Sequence, residues 1–172
     1  VWAKGYTELL ELLLAHQRAT KQLFPVDIFG SGTDEAQVKG LADKLGLGLT
    51  FHGARDHLDP SIHQYKVFVN PSKSDVVATT TAEALSMGKF VVVEDLPCND
   101  FFASFANCLV YRTPEEFTEC LKLAMARDPE PLRESDRQRL TWESATERFI
   151  DIAEPTGESG RLSSRIIDGV YY

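Results

Sequence analysis

Cysteine is scarce in this chain: Cys98, Cys108 and Cys120 are the only three, and no Cys-x-x-Cys pair occurs. An odd number without paired spacing offers neither a disulfide framework nor a zinc site, and a reducing compartment fits such usage best. Histidine is equally sparse. His16, His52, His57 and His63 lack ligand-like spacing, and the last two read as residues of a loop and a short helix. No apolar run approaches the ~20 residues that cross a bilayer. Val1-Trp2-Ala3-Lys4-Gly5 has no basic stretch followed by an apolar one, so it is no signal peptide. This opening reads instead like the end of a strand and, with no initial Met, suggests a fragment. Positive charge is lacking too: 18 Lys and Arg stand against 26 Asp and Glu, for a net charge of −8. That balance excludes a general nucleic-acid binder, which collects cations to replace counterions. A phosphorylated ligand must therefore be held by local donors against the overall field.

What is present is an alternation of strand and helix. At 172 residues and 43% hydrophobic the chain can bury one full core. Leu9, Leu10, Leu13 and Leu14 recur at helical spacing in residues 7–22. The short strand Val26-Asp27-Ile28-Phe29 is closed by Gly30-Ser31-Gly32, and a helix over 34–45 places Val38, Leu41, Ala42 and Leu45 on one face. Strands are expected at Leu49-Thr50-Phe51, Lys66-Val67-Phe68-Val69, Phe90-Val91-Val92-Val93 and Cys108-Leu109-Val110-Tyr111. Between and after them come helices near 60–65, 79–88, 97–104, 114–127 and 141–152. Thr113-Pro114-Glu115-Glu116 carries the signals of a capped helix start. In the last helix Trp142, Ala145, Phe149 and Ile152 share one side. Short, continuously apolar strands alternating with helices imply an α/β fold, a doubly wound, Rossmann-like parallel sheet covered on both faces. One domain over 1–153 is expected. From Glu154 the Pro-, Gly-, Ser- and Arg-bearing run to Tyr172 reads as an extended tail.

The stretch Ser74-Asp75-Val76-Val77-Ala78-Thr79-Thr80-Thr81-Ala82-Glu83 follows a strand, with seven residues between Asp75 in a loop and Glu83 on a helix. In doubly wound sheets ligands bind outside the strand C-termini, where Asp75, Glu83 and the Gly30–Gly32 loop converge. Two acids at the ends of such a turn can hold two sets of sugar hydroxyls. Between them the free N–H groups of a helix start can face a diphosphate. The plain alternative is a loop Asp and a solvated helix Glu. Thr79, Thr80 and Thr81 can cap that helix, donate hydroxyls to phosphate, or both. Gly30-Ser31-Gly32 lacks the third glycine of a dinucleotide fingerprint; a close-approach turn is the simpler reading. Phe101, Phe102 and Phe105 read as core, with an exposed part available to lipid or another domain.

Ser-Asp-Val-x-x-x-Thr-Ala-Glu-Ala-Leu-x-Met-Gly-Lys-Phe-Val-Val resembles the plant and algal digalactosyldiacylglycerol synthases, a family of galactolipid galactosyltransferases. So do Val1-Trp2-Ala3-Lys4-Gly5-Tyr6, Gly53-x-Arg55-Asp56-His57 and Asn99-x-Phe101-Phe102-x-x-Phe105-x-Asn107-Cys108-Leu109. More broadly, residues 1–153 look like the C-terminal, donor-binding half of a retaining GT-B glycosyltransferase. The resemblance implies transfer of galactose from UDP-galactose to monogalactosyldiacylglycerol with retention. The acceptor would sit on an absent N-terminal domain, and the full-length protein would associate peripherally with the cytosolic face of the chloroplast outer envelope.

The same resemblance gives Glu83 the ribose hydroxyls, Asp75 the donor-sugar hydroxyls and Lys4 the diphosphate, to which a flexible ammonium pairs as a point charge. Ala78, Thr79 and Thr80 would approach the donor. Gly30 and Gly32 would line the nucleotide cleft, and Arg55 would lie near the uracil unless it is a plain surface cation. Asp75 is shorter by a methylene than the wider family's usual Glu, and Ala78 replaces a common glycine. No cofactor and no metal are expected, and no nucleophile can be assigned. Alternatives are another UDP-sugar-dependent lipid or saccharide glycosyltransferase, a non-catalytic doubly wound binding module, and, third, an NAD-dependent dehydrogenase.

Overall fold

A computed structural model describes residues 4–57, 59–75 and 78–153. The tail expected at 154–172, the strand end read at 1–3 and Val76 and Val77 of the motif lie outside the described residues. Five strands, β1 (Val26–Ile28), β2 (Leu49–Phe51), β3 (Val67–Asn70), β4 (Phe90–Glu94) and β5 (Cys108–Tyr111), alternate with helices. These are α1 (Tyr6–Thr20), α2 (Glu35–Leu45), α3 (Pro60–His63), α4 (Thr79–Ser86), α5 (Asp100–Ala103), α6 (Pro114–Ala126), α7 (Glu134–Arg139) and α8 (Trp142–Ala153). All strand pairing is parallel.

β4 explains the layering. Val91, Val92 and Val93 are each fully buried, and successive side chains on a strand point to opposite faces. Val92 joins Leu9, Leu10, Leu13, Val38, Phe117 and Leu121 from α1, α2 and α6. Val91 and Val93 join Ala84, Leu85, Phe102 and Phe105 from α4 and α5. Each buried valine contributes roughly 1.5–3 kcal/mol, and a strand apolar on both faces has no solvated alternative.

The sheet departs from the single one expected. Strand order is β1-β2 in one segment and β3-β4-β5 in another, with no pairing between β1 and β3. Neighbour order is not encoded in a strand's own apolar pattern, so the sequence could not reveal the break. Two helix faces also differ. Leu41 of α2 is exposed while Val38 and Ala42 are buried, because α1 meets only part of the predicted stripe. Trp142 and Phe149 of α8 are among the most exposed large side chains.

α7 is additional to the predicted helices. Its sequence, Glu-Ser-Asp-Arg-Gln-Arg, has no apolar period to read. Arg139 ties it down, with its guanidinium 5.0 Å from the Phe101 ring and 4.4 Å from Phe105, and it donates to Ser104. Arg148 also lies over Phe101, so arginines stack on the outer side of the phenylalanine cluster, whose Phe102 and Phe105 are buried as expected. At α6, Thr113 caps as expected by accepting from Glu116 N, but the Glu116 carboxylate accepts from Arg112 N and not from Thr113.

Candidate functional site

The strand C-termini form a rim where four segments meet. Gly5 precedes α1 with φ +77°, and its carbonyl accepts from Leu9 N. A Cβ built there would lie 1.9 Å from the carbonyl oxygen of Pro71. Only glycine permits both that backbone conformation and that approach. The contact pulls the start of α1 against the loop leaving β3, which brings Lys4 to Asp75: Lys4 Nζ donates to Asp75 Oδ1 at 3.2 Å.

Asp75 is held from behind as well. Buried Asn70, the last residue of β3, donates from Nδ2 to Asp75 Oδ2 at 2.9 Å and to Thr81 Oγ1 at 3.1 Å. Its Oδ1 accepts from Ser72 N. One amide therefore fixes the loop, the acid and the first turn of α4 together. Sequence reading did not single out Asn70; the signal available was a polar residue closing an apolar strand just before Pro71. The Asp75 side chain is 13% exposed and each of its oxygens has a protein donor.

Glu83, one turn into α4, is 43% exposed and Oε2 lies 2.5 Å from His57 Nδ1. His57 was expected on a loop and is there, but its pairing with Glu83 across a 26-residue separation was not anticipated. Its place in the Gly53-x-Arg55-Asp56-His57 run was the only clue.

At the start of α4, Ala78 is the N-cap residue, and no side chain caps the helix. The capping role open to Thr79, Thr80 and Thr81 is therefore corrected: Thr81 is buried and accepts from Asn70, Thr79 faces solvent, and Thr80 lines a cavity. Uncapped first-turn N–H groups remain available to an anion.

Two cavities open at this rim. One, of about 280 Å³, lies between β1 and β3 and is reached by Lys4, His57, Thr80 and Glu83. The other, of about 220 Å³, is bounded by Phe29, Gly30, Ser31, Gly32 and Glu35. Lys4 and Tyr6 border both. Burial, and next the Glu35 carboxylate, push the Tyr6 hydroxyl above its ordinary value, so it remains a neutral hydrogen-bonding group. Gly30 N donates to Gly53 O at 2.8 Å, tying the loops after β1 and β2 into one wall. Lys4, Gly30, Gly32, Thr80 and Glu83 thus border these cavities; Asp75 lines neither and is joined to them through Lys4, and Ala78 is buried in the core beneath the start of α4. Arg55 does not join them; its guanidinium bonds Asp59 and Ser61, at the start of α3. Asp59, in turn, accepts from Ser61 N, which is the main reason its carboxyl sits below the ordinary value.

Chemically, this edge offers two carboxylates for hydroxyl groups, one mobile ammonium and a helix start for a phosphate. Among the described residues no group of three or more His, Cys, Asp or Glu is placed to hold a metal ion.

The model of the family "Glycosyl transferases group 1" matches residues 1–126. Digalactosyldiacylglycerol synthase 1, chloroplastic, of Lotus japonicus is 52% identical over 154 residues, covering 90% of this chain and 20% of the relative. The Arabidopsis thaliana synthase 1 is 47% identical over 166 residues, with 94% and 20% covered. Synthase 2 of Glycine max is 47% identical over 154 residues, with 90% and 33% covered. The chain thus spans between a fifth and a third of the length of these curated relatives. Among solved structures, a sucrose-phosphate synthase from Thermosynechococcus elongatus superposes with a TM-score of 0.66 at 18% identity, covering 89% of this chain and 42% of that one. The pneumococcal O-GlcNAc transferase GtfA, solved with UDP and GlcNAc, gives 0.61 at 18% identity, with 88% and 33% covered. At that identity these two establish the shared α/β fold.

Proposed function

The chain belongs to the group 1 glycosyl transferases, and we propose that it is the donor-binding part of a digalactosyldiacylglycerol synthase. In this reading the whole protein moves galactose from UDP-galactose to monogalactosyldiacylglycerol with retention at the anomeric carbon. The observation that carries the donor role is a cavity bordered by Lys4, Thr80 and Glu83 at the α4 start, with Asp75 bound to Lys4 beside it. The galactolipid assignment is supported by relatives 46–53% identical that bear that name.

The mechanism follows from where charge develops. As the glycosidic bond to UDP breaks, negative charge grows on the diphosphate and the sugar becomes oxocarbenium-like. Donors fixed in place beforehand lower that barrier without reorganising. Lys4 and the first N–H groups of α4 supply them, and no divalent ion is required. Glu83 takes the ribose hydroxyls, exchanging its His57 contact for them or adding them to its free oxygen. Asp75, oriented by Asn70 and Lys4, takes hydroxyls of the galactose. Gly30, Gly32 and the backbone near Arg55 border the nucleoside. The acceptor galactolipid binds on a separate N-terminal domain. The relatives' chloroplast designation supports a plastid location, which we assign to the cytosolic face of the outer envelope through peripheral attachment.

Calorimetry tests the donor role. UDP should bind this chain, and Glu83→Gln should weaken binding by roughly 1–3 kcal/mol through the lost ribose contact. Equal affinity in the two proteins rules the role out. The full-length enzyme should transfer galactose equally with Mg²⁺ or with EDTA, and the 172-residue chain alone should not turn over.

A further inference from the structure

Glu83 is held differently from Asp75. Both oxygens of Asp75 accept from protein donors, Lys4 and Asn70. Among the described residues Glu83 has a donor at Oε2, where His57 Nδ1 lies at 2.5 Å. Its side chain is longer by a methylene and 43% exposed. Left free, such a side chain samples many rotamers, and a ligand that needs one of them bears the cost of selecting it. A carboxylate accepts hydrogen bonds and donates none, so the hydrogen in this contact sits on Nδ1 of the imidazole. With one N–H on Oε2, the carboxylate keeps acceptor capacity for two neighbouring hydroxyl groups.

His57 itself stands on a braced turn. Asp59 N donates to Asp56 O, and Asp59 Oδ1 accepts from Ser61 N. The Arg55 guanidinium donates to both Asp59 and Ser61. Beyond α3, the Lys89 ammonium donates to the carbonyl oxygens of Ile62, His63 and Tyr65. This turn follows β2, whereas Glu83 stands on the helix after β3. The imidazole thus fixes the Glu83 carboxylate from a separate element, across 26 residues of chain.

We propose that His57 is a positioning residue for Glu83: its Nδ1–H stays on Oε2 while a nucleoside diphosphate binds, presetting the carboxylate for the ribose cis-diol. This rests on the donor-binding role proposed above for Glu83. The ribose hydroxyls are then added to the His57 contact and do not displace it. His57 acts by removing rotamer freedom that binding would otherwise have to remove. Its effect is therefore confined to ligands that carry the hydroxyls.

Calorimetry on the full-length protein with two probes, UDP and 2′,3′-dideoxyuridine diphosphate, tests the proposal. His57→Ala should weaken UDP binding roughly 10-fold and binding of the dideoxy probe by less than about twofold. His57→Asn, whose amide N–H falls near the place of Nδ1, should restore UDP affinity to within about threefold of wild type. In a Glu83→Ala background the loss from His57→Ala should vanish. Unchanged UDP affinity in His57→Ala, beside a loss in Glu83→Ala, overturns the proposal and leaves the donor role of Glu83 standing. An equal loss for both probes also overturns it, because a deformed turn or a direct ligand contact acts without the ribose hydroxyls. So does a loss that persists without the Glu83 carboxylate. No loss in Glu83→Ala itself removes the donor role, and the proposal with it. Imidazole ¹⁵N shifts of histidine-labelled protein give a readout independent of affinity. Nδ1 of His57 should carry its hydrogen with and without UDP; its loss on binding means that the contact is exchanged, and overturns the proposal.

Discussion

The β3-β4-β5 segment and the β1-β2 segment are built to different standards. β4 is flanked by partners on both edges and covered on both faces, with Val91, Val92 and Val93 wholly buried. β1 and β2 are three residues each, and only Ile28 among their side chains is buried. The site draws on both. Asp75, Asn70 and Glu83 come from the well-packed segment, whereas Gly30, Gly32 and His57 come from loops around the looser one. The carboxylates differ in the same way: Asp75 is enclosed and doubly held, while Glu83 is open and touches a loop histidine. The lesson is that the Asp75 and Glu83 end of the rim is inherited from a well-packed core, and its Gly30 and His57 end depends on how well two segments are joined.

The largest expected effect attacks that join. Gly5→Ala forces a Cβ into the Pro71 carbonyl at positive φ and should destabilise the fold by roughly 1–3 kcal/mol or more, measured by urea unfolding. It should also displace Lys4 and lower UDP affinity more than Lys4→Ala alone does. Next, Val92→Ala should cost about 2 kcal/mol by leaving a cavity, against about 1 kcal/mol or less for half-buried Val26→Ala. Equal costs in the short chain would erase the contrast between segments.

Asn70→Ala should cost about 1–3 kcal/mol by stripping donors from Asp75 and Thr81. Asn70→Asp places a second carboxylate beside Asp75 and should impair donor binding more than stability. The smallest effect is on acid lability. His16 is buried against Phe24 with Nδ1 unpartnered. Burial, and next Lys122, lower its pKa below the ordinary 6.5. The unfolded chain therefore binds the proton more readily, and stability present above that value declines as pH falls through it. His16→Leu should remove this slope, which comparison of Tm at pH 7 and pH 5 in the two proteins would show.

Much of this was legible beforehand, for reasons particular residues show. β2 and β5 fall where their apolar runs place them, because short buried strands announce themselves by composition. Asp75 and Glu83 both lie beyond the C-terminus of β3, as expected from their order in the sequence, because a parallel sheet sends every β-to-α turn to that side. What escaped depended on long-range partners. The His57–Glu83 contact joins residues 26 apart, and Asn70, five residues before Asp75, reaches it only because the loop after Pro71 folds back. Helix α7 exists because Arg139 finds two phenyl rings, and the exposure of Leu41 depends on how far α1 reaches.

Lys89 carries one more consequence. Its ammonium, with its pKa lowered by burial, donates to the carbonyl oxygens of Ile62, His63 and Tyr65, so a single side chain at the root of β4 anchors the far end of the His57 loop. Acetylation of that amine would strip three acceptors of their shared cation at once. The segment carrying His57 would then loosen while the Asn70–Asp75 contact stayed intact, so that one end of the rim would move independently of the other.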